Sequence, residues 1–266
     1  MTEHAEAAEA AAQIALTFEG HVAVIEMRRP PHNFVDIDFV HALADMLDQL
    51  DSDDNCRSIV LCSGVSSFCA GADFSGRTPT TGNAPGVDPS PFYGQAMRLF
   101  RNRKPIVVAV NGPAIGAGMG LTLVGDFRIA CQEARFSANF NRLGFHPGFG
   151  MSVTLPHLIG PQKAALLFYT GRRINGTEAL AMGLVDELVP QDQLRQRALE
   201  LAQEIAASAP LAVESTRDTL RQGMADRIVA ANQRELAIQL GQFRTEDFRE
   251  GVAAMAQRRL PAFQRK

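Results

Sequence analysis

The chain has 266 residues, of which 46% are hydrophobic and 21% charged, and this composition indicates a folded protein with a large core. Its 26 Lys and Arg residues are interspersed with 29 Asp and Glu residues, so we expect no concentrated basic face for nucleic acid. The longest aliphatic strand candidate, Ile106 to Val110, is far shorter than the roughly 18 residues of a membrane span. Neither nucleic acid nor a membrane is therefore expected as a partner.

The cysteines and the N-terminal segment predict a cytoplasmic location. The four cysteines form no CxxC pair and lie among apolar neighbours, which is typical of buried free thiols in a reducing compartment. Residues 1–13 are acidic and Ala-rich, lack the features of a signal peptide, and are predicted to form a disordered tail. The six histidines show no metal-ligand spacing, so no metal site is predicted.

The first half of the chain alternates between strand and helix patterns. Apolar residues alternate on both sides of Glu19-Gly20, which predicts a β-hairpin over residues 14–26. From Asp36 the apolar period becomes helical, with Phe39 and Leu43 on the predicted buried face. The other predicted elements are a strand at 58–62, a loop at 63–92, a helix at 92–102, a strand at 105–110, a short helix at 121–124 and a strand at 127–131.

The second half of the chain is mainly helical. Gly160-Pro161 predicts a helix start, because proline is favoured in the first turn. The other predicted elements are a helix at 177–182, a strand at 184–189 and helices at 194–205, 210–222, 226–243 and 246–258. Strand–helix–strand units followed by helices predict an α/β fold, with a core over residues 14–195 and a helical region over 196–266.

Two segments of small residues each follow a predicted buried strand. The first runs from Ser67 to Phe74 (SFCAGADF) and the second from Asn111 to Gly120 (NGPAIGAGMG). Small residues let the backbone approach a ligand closely. If the two turns converge, their free N–H groups can point at one oxygen, as in an oxyanion hole that stabilises charge on a carbonyl.

The residues of both turns match a known family. FCAGADF resembles the AGAD turn of the crotonase, or enoyl-CoA hydratase/isomerase, superfamily, and KPIVVAVNGPAIGAGMGLTLVGD is similar to its KP-strand-NG-glycine-helix-D signature. Downstream, FSANFNRLGFHPGFGMSVTLPHLIG and TGRRINGTEALAMGLVDELVP resemble further family segments in the same order. The resemblance covers residues 14–263, which is nearly the whole chain.

The resemblance implies a crotonase-like ββα superhelix whose helical C-terminal region builds a homotrimer or a dimer of trimers. It implies an acyl-CoA substrate, with CoA as part of that substrate and no separate cofactor. The oxyanion donors carry over to the backbone N–H groups of Ala72 and Ala117. The residues implied to contact CoA are Arg28, His32, Ala70, Gly71 and Phe74.

The sequence departs from the family at its catalytic positions. Hydratases of the family use two glutamates as general acid and base, which by motif correspond to Gly120 and Phe140 here. A third position, used by some isomerases, corresponds to Gly148. The usual hydration machinery is therefore missing. His146 is the candidate replacement acid or base, with a purely structural role in its turn as the alternative. Asn139 is a candidate substrate contact in the same pocket, although its residue type favours a role in the local turn.

Three hypotheses follow from these residues. The leading one is an acyl-CoA enzyme with a backbone oxyanion hole that catalyses an atypical isomerisation, decarboxylation or hydrolysis. The second is a family member that binds acyl-CoA or supports an oligomer without turnover, which the loss of both glutamates favours. The third, a dinucleotide-binding dehydrogenase, is disfavoured because Leu121 occupies the third glycine position of GxGxxG.

Overall fold

The computed structural model of the chain describes residues 13–72 and 89–266. Its strands are β1 (Ile14–Glu19), β2 (Val22–Met27), β3 (Ser58–Ser63), β4 (Ile106–Val110), β5 (Pro113–Ile115), β6 (Phe127–Ala130), β7 (Arg135–Ser137), β8 (Ile174–Asn175) and β9 (Glu187–Leu188). Its α-helices are α1 (Ile37–Asp51), α2 (Ser90–Arg98), α3 (Ala117–Thr122), α4 (Met151–Ile159), α5 (Pro161–Thr170), α6 (Gly176–Met182), α7 (Leu194–Ala206), α8 (Pro210–Leu220), α9 (Met224–Gln242) and α10 (Glu246–Ala256). Short 3₁₀ helices occupy Leu99–Arg101, Asn139–Leu143 and Gln191–Gln193.

The strands form two sheets. The six-stranded sheet has the order β1-β2-β3-β4-β6-β9, in which β1 and β2 are antiparallel and every other pair is parallel. The three-stranded sheet has the order β5-β7-β8, with β5 and β7 parallel and β7 and β8 antiparallel. The predicted hairpin is confirmed, because Glu19 pairs with Val22 across the turn. The α/β class is confirmed as well.

The central strands of the larger sheet are buried on both faces. Val24, Val60 and Val107 belong to a hydrophobic cluster that also contains residues of α7. Ile25 and Leu61 belong to the larger core cluster, which contains the buried face of α1. Because successive strand residues point to opposite faces, helices must cover both sides of such a sheet. The apolar runs at 58–62 and 105–110 are thereby explained.

Helix α1 shows how local sequence sets an element. The Asp36 carboxylate accepts a hydrogen bond from the Phe39 N–H at 2.9 Å and caps the helix start. The residues buried along one face include Phe39, Leu43, Leu47 and Leu50. The predicted start at Asp36 and the predicted apolar face are therefore confirmed.

Several short elements were not predicted by pattern. Strands β5, β7 and β8 have only two or three residues, too few for an alternating pattern to be recognised. The strand predicted at 184–189 contracts to β9, Glu187–Leu188. Most of the predicted 63–92 loop and nearly all of the predicted tail lie outside the described residues. No helix within the described ranges is long and apolar enough to cross a membrane.

Candidate functional site

The first small-residue turn follows β3 and is held in place by Asn33. The buried Asn33 side chain donates from Nδ2 to the Phe68 carbonyl at 3.0 Å and to Ser63 Oγ at 2.8 Å. The Val35 N–H donates to the Gly71 carbonyl at 2.9 Å. The segment before α1 therefore fixes the backbone of this turn through one buried amide and one main-chain bond.

The second turn, after β4, packs directly against the first. The Cys69 N–H donates to the Pro113 carbonyl at 2.9 Å, and the Ile115 N–H donates to the Cys69 carbonyl at 3.0 Å. A Cβ atom on Gly71 would lie 2.5 Å from the Ile115 carbonyl oxygen, and one on Gly118 would lie 2.0 Å from the Cys69 carbonyl oxygen. The two backbones can approach this closely only because these positions are glycine.

This packing brings Ala72 and Ala117 to the wall of one cavity of about 470 Å³. Helix α3 begins at Ala117, after Gly116 with φ of +55°. The Ala117 N–H is one of the first-turn amides that no helical carbonyl can accept. The two residues named by the sequence as oxyanion donors thus share a cavity, and two amides directed at one oxygen would polarise a carbonyl bound there.

Most of the cavity wall is apolar, and much of it is aromatic. The aromatic lining residues are Phe34, Phe92, Tyr93, Phe140 and Phe145. The titratable lining residues among those described are His32, Tyr93 and Arg173. In the described part of the chain no carboxylate lines this cavity. The described lining residues therefore include no pair of carboxylates that could act as general acid and base.

The space beside position 120, where the resemblance implies the first glutamate, is occupied by the ring of another residue. A Cβ atom on Gly120 would lie 2.6 Å from Cδ1 and 2.8 Å from Cγ of Phe149. Phe149 is fully buried, adopts φ of +65°, and packs its ring near Phe92 and Phe100 with centroid distances of 6.2 and 6.0 Å. Gly120 does not line the cavity, because the Phe149 ring occupies the adjacent space.

Of the other two family positions, one is an aromatic residue and one is a glycine beside an aromatic ring. Phe140 lines the cavity, is buried, and contacts Phe145 edge-on at a centroid distance of 5.5 Å. Gly148 does not line the cavity, and a Cβ atom there would lie 2.2 Å from Tyr93 Oη. A side chain at position 148 would collide with the phenol.

Tyr93 belongs to a buried hydrogen-bond chain that ends on helix α9. Its hydroxyl donates to Gln239 Oε1 at 2.9 Å, and Gln239 Nε2 donates to the His146 carbonyl at 2.7 Å. The His146 carbonyl can only accept a hydrogen bond, so the side-chain amide of Gln239 must turn its Nε2 towards it. Gln239 Oε1 then accepts the hydrogen bond from the Tyr93 hydroxyl. Burial raises the pKa of Tyr93, which keeps the phenol uncharged at neutral pH.

His146, the predicted replacement acid or base, does not line the cavity. Its Nδ1 lies 2.7 Å from the Pro147 carbonyl oxygen, and its backbone N–H donates to Gln242 Oε1 at 2.7 Å. Since a carbonyl only accepts, Nδ1 carries the proton in this contact. The turn that follows Leu143 therefore holds the ring on its own backbone instead of on the cavity wall, and the geometry gives no support to a catalytic role.

The residues predicted to contact CoA divide into three groups. His32, Ala70 and Gly71 line the cavity, as does the predicted contact Asn139. Arg28 does not line it and pairs with Glu26 at 2.6 Å. Phe74 lies outside the described residues.

Part of the wall comes from residues that sequence reasoning missed. Val252, Met255 and Ala256 of α10 close one side of the cavity, and Arg173 lies at the same side, just before β8. Their helical spacing was visible in the sequence, but nothing in it indicated what this helix covers. Phe145, which follows the 3₁₀ helix Asn139–Leu143, was also missed.

The cysteines take no part in this site chemistry. All four are free and buried, as their apolar neighbours predicted. Burial raises the pKa of the Cys69 thiol, at the first turn, to about 12, so it stays protonated at neutral pH. Across residues 13–72 and 89–266, no group of three or more His, Cys, Asp or Glu side chains could hold a metal ion.

Comparison with known sequences points to one family. The sequence model of the enoyl-CoA hydratase/isomerase family matches residues 17–266. The chain is 31% identical over 251 residues to enoyl-CoA hydratase EchA19 of Mycobacterium tuberculosis, covering 93% of this chain and 94% of that protein. It is 32% identical over 250 residues to 1,2-epoxyphenylacetyl-CoA isomerase of Escherichia coli, covering 92% of this chain and 95% of the relative.

Solved structures give the same result. An enoyl-CoA hydratase/isomerase from Pseudoalteromonas atlantica superimposes with a TM-score of 0.83 at 31% identity, over 95% of this chain and all of that chain (100%). An enoyl-CoA hydratase from Bacillus anthracis gives a TM-score of 0.74 at 30% identity, over 96% of this chain and 100% of the other. With the sheet order, the two packed turns and these matches in agreement, the chain belongs to the enoyl-CoA hydratase/isomerase family of the crotonase superfamily.

Proposed function

We propose that this protein is an acyl-CoA enzyme that stabilises a thioester enolate with the backbone N–H groups of Ala72 and Ala117 and uses no glutamate pair. The observation that carries the proposal is that both residues lie on one cavity whose described wall has no carboxylate. The names of the relatives, which include an enoyl-CoA hydratase and an epoxyphenylacetyl-CoA isomerase, support a CoA thioester as the substrate.

Hydration of an enoyl group is disfavoured by the same wall. Addition of water needs one group to remove a proton from water and one to protonate the carbon chain. Phe140 stands at one of the two family positions, and the Phe149 ring fills the space beside the other, Gly120. Crotonyl-CoA is therefore expected to bind without being hydrated at a useful rate.

Decarboxylation of a 2-carboxyacyl-CoA needs the least from side chains and is the reaction that we favour. The bond between the α-carbon and the carboxylate breaks, and its electron pair moves into the thioester to give the enolate. Carbon dioxide leaves, and the α-carbon then takes a proton from water. Two backbone N–H groups can stabilise the developing oxyanion, and no base is required to form it.

We further propose that CoA reaches the cavity beside His32, Ala70 and Gly71, and that the protein needs no separate cofactor. The helical region after residue 195 would build a homotrimer or a dimer of trimers. Supporting this, several large apolar side chains of that region are exposed in the single chain, among them Leu211, Leu220 and Leu260. Their exposed area would be covered in an oligomer.

The test removes one N–H without changing side-chain chemistry. Ala117 is the first residue of α3, a position where proline is tolerated in helices. In Ala117→Pro we expect decarboxylation of malonyl-CoA and methylmalonyl-CoA to fall about 10²–10³-fold, the usual cost of losing one oxyanion donor. Glu246→Pro, at the exposed first position of α10, is the matched control and should retain full activity.

Three results would contradict the proposal. The first is unchanged turnover in Ala117→Pro, with the variant folded by circular dichroism. The second is hydration of crotonyl-CoA by the wild-type protein at a rate comparable with its other activities. The third is thioester binding without turnover of any acyl-CoA tested, which would instead support a protein that only binds acyl-CoA.

A further inference from the structure

A second cavity adjoins the first and is lined by arginines. It has a volume of about 290 Å³ and shares Ile115, Asn139, Leu143, Arg173 and Met255 with the cavity of the two turns. Its other lining residues include Arg142 and Arg259. An acyl chain whose thioester lies at Ala117 can thus continue past Asn139 towards the arginines. We call this second cavity the arginine subsite.

Positive charge in the arginine subsite exceeds negative charge. Arg259 is neutralised by Glu250, with Nη2 to Oε2 at 2.7 Å. Arg142 donates from Nε to the Thr170 carbonyl at 2.8 Å, which leaves both of its Nη groups without an acceptor among the described residues. Arg173 forms no ion pair or side-chain hydrogen bond with any described residue, and no described carboxylate lines the subsite.

Arg142 and Arg173 are both exposed, and the aliphatic part of Arg142 is held by packing. The Arg142 stem packs on Gly171, where a Cβ atom would lie 2.8 Å from Arg142 Cγ. Asn139 stands at the junction of the two cavities, with Oδ1 3.5 Å from the position of a Cβ on Gly116. Its amide also has no partner among the described residues, so donors surround the far end of the path.

We propose that the arginine subsite binds a carboxylate at the far end of the acyl group, so that the preferred ligands are CoA thioesters of dicarboxylic acids. Guanidinium groups bind carboxylates with two parallel hydrogen bonds, and two unneutralised arginines beside one small cavity favour an anion there. The apolar wall around Phe140 and Leu143 suits the methylene chain between the thioester and this carboxylate. The inference rests on the proposed function only for the position of the thioester.

The phosphates of CoA carry the same kind of charge, and the experiment separates the two sources. Dissociation constants are measured by calorimetry for ω-carboxyacyl-CoAs with four to eight acyl carbons, for methyl-ended acyl-CoAs of equal length, and for free CoA. At the best length we expect the dicarboxylic thioester to bind about tenfold more tightly or better, as for a charged hydrogen bond.

Arg142→Gln, at a residue that lines only the arginine subsite, should reduce this preference to about twofold or less while leaving the affinities for methyl-ended thioesters and free CoA unchanged. Arg173→Gln, at a residue that lines both cavities, should reduce the preference as well. Arg172→Gln is the matched control, because Arg172 is exposed like Arg173 and adjacent to it in sequence but lines neither cavity. Equal loss of affinity for all three ligand classes would mean that the arginines bind CoA phosphates, which overturns the proposal.

Equal binding of both thioester series by the wild-type protein would also overturn it while leaving the proposed function intact. Failure of the wild-type protein to bind any thioester would overturn both proposals together, and the two failures are therefore distinguishable.

Discussion

The two sides of the cavity are built differently, one from backbone groups and the other from aromatic side chains. The turn side, residues 69–72 and 113–118, is built from backbone and held by glycines that a Cβ atom would disrupt. On the aromatic side, Phe140 and Tyr93 line the cavity and Phe149 is buried behind them. Phe140 stands at one position where family enzymes are expected to carry a carboxylate, and the Phe149 and Tyr93 rings lie against the other two, Gly120 and Gly148. A function made by main-chain amides depends on close backbone approach, whereas a function made by side chains can be lost by replacement without changing the fold.

The largest expected effect tests the turn side. Gly118→Ala would place a Cβ atom 2.0 Å from the Cys69 carbonyl oxygen, and this backbone atom cannot move away cheaply. We expect a loss of about 3 kcal/mol or more in unfolding free energy, at the upper end for overpacking. Urea denaturation measures it. Gly241→Ala, on α9 with nothing within 4 Å of the added atom, should be neutral or stabilising. Equal effects in the two variants would mean that the turns are not tightly packed.

A double-mutant cycle tests the aromatic side. Gly120→Ala alone should cost about 1–3 kcal/mol, because the added methyl group meets the Phe149 ring. In a Phe149→Gly background the same change should cost almost nothing, which gives a coupling energy of about 1 kcal/mol or more.

Gly125→Ala is the control for this cycle, since its Cβ atom would meet Val108 and not Phe149. Its cost should add to that of Phe149→Gly within about 0.5 kcal/mol. Additive costs for Gly120 and Phe149 would show that the ring does not fill the space beside position 120.

A smaller loss of unfolding free energy is expected when the hydroxyl of Tyr93, on the aromatic side, is removed. Tyr93→Phe leaves Gln239 Oε1 buried and unpaired, which should lower the unfolding free energy by about 1–2 kcal/mol. Because burial raises the pKa of Tyr93, this difference should not change between about pH 6 and 9. The chain has one other tyrosine, Tyr169, which is 78% exposed, and Tyr169→Phe should change nothing. A stability difference that grows with pH would indicate an ionised phenol instead.

The turn side could be predicted from sequence because its signals are local. Each glycine-rich segment follows an aliphatic run that forms a buried strand, and the period of α1 is set by its own residues. The resemblance to the family then related the two glycine-rich segments to the motifs downstream of them, and the family match confirmed the α/β fold that the resemblance implied.

The aromatic side could not be predicted in this way. That Phe149 fills the space beside Gly120 depends on a contact between distant parts of the chain, and no periodic pattern encodes it. His146 follows Phe140 closely in sequence, which suggested the same pocket, yet Gly144 with φ of +83° and Pro147 direct the chain so that the ring contacts its own turn. The arginine subsite arises where 3₁₀ helix Asn139–Leu143, β8 and α10 meet, and only the fold brings these together.

The central claim is that the amides of Ala72 and Ala117 bind one thioester oxygen. A crystal structure with a non-reactive acyl-CoA analogue tests it most directly. We predict the thioester oxygen within roughly 2.7–3.1 Å of both backbone nitrogens. A thioester oxygen bound by only one of them, or held by a side chain elsewhere in the cavity, would contradict the claim.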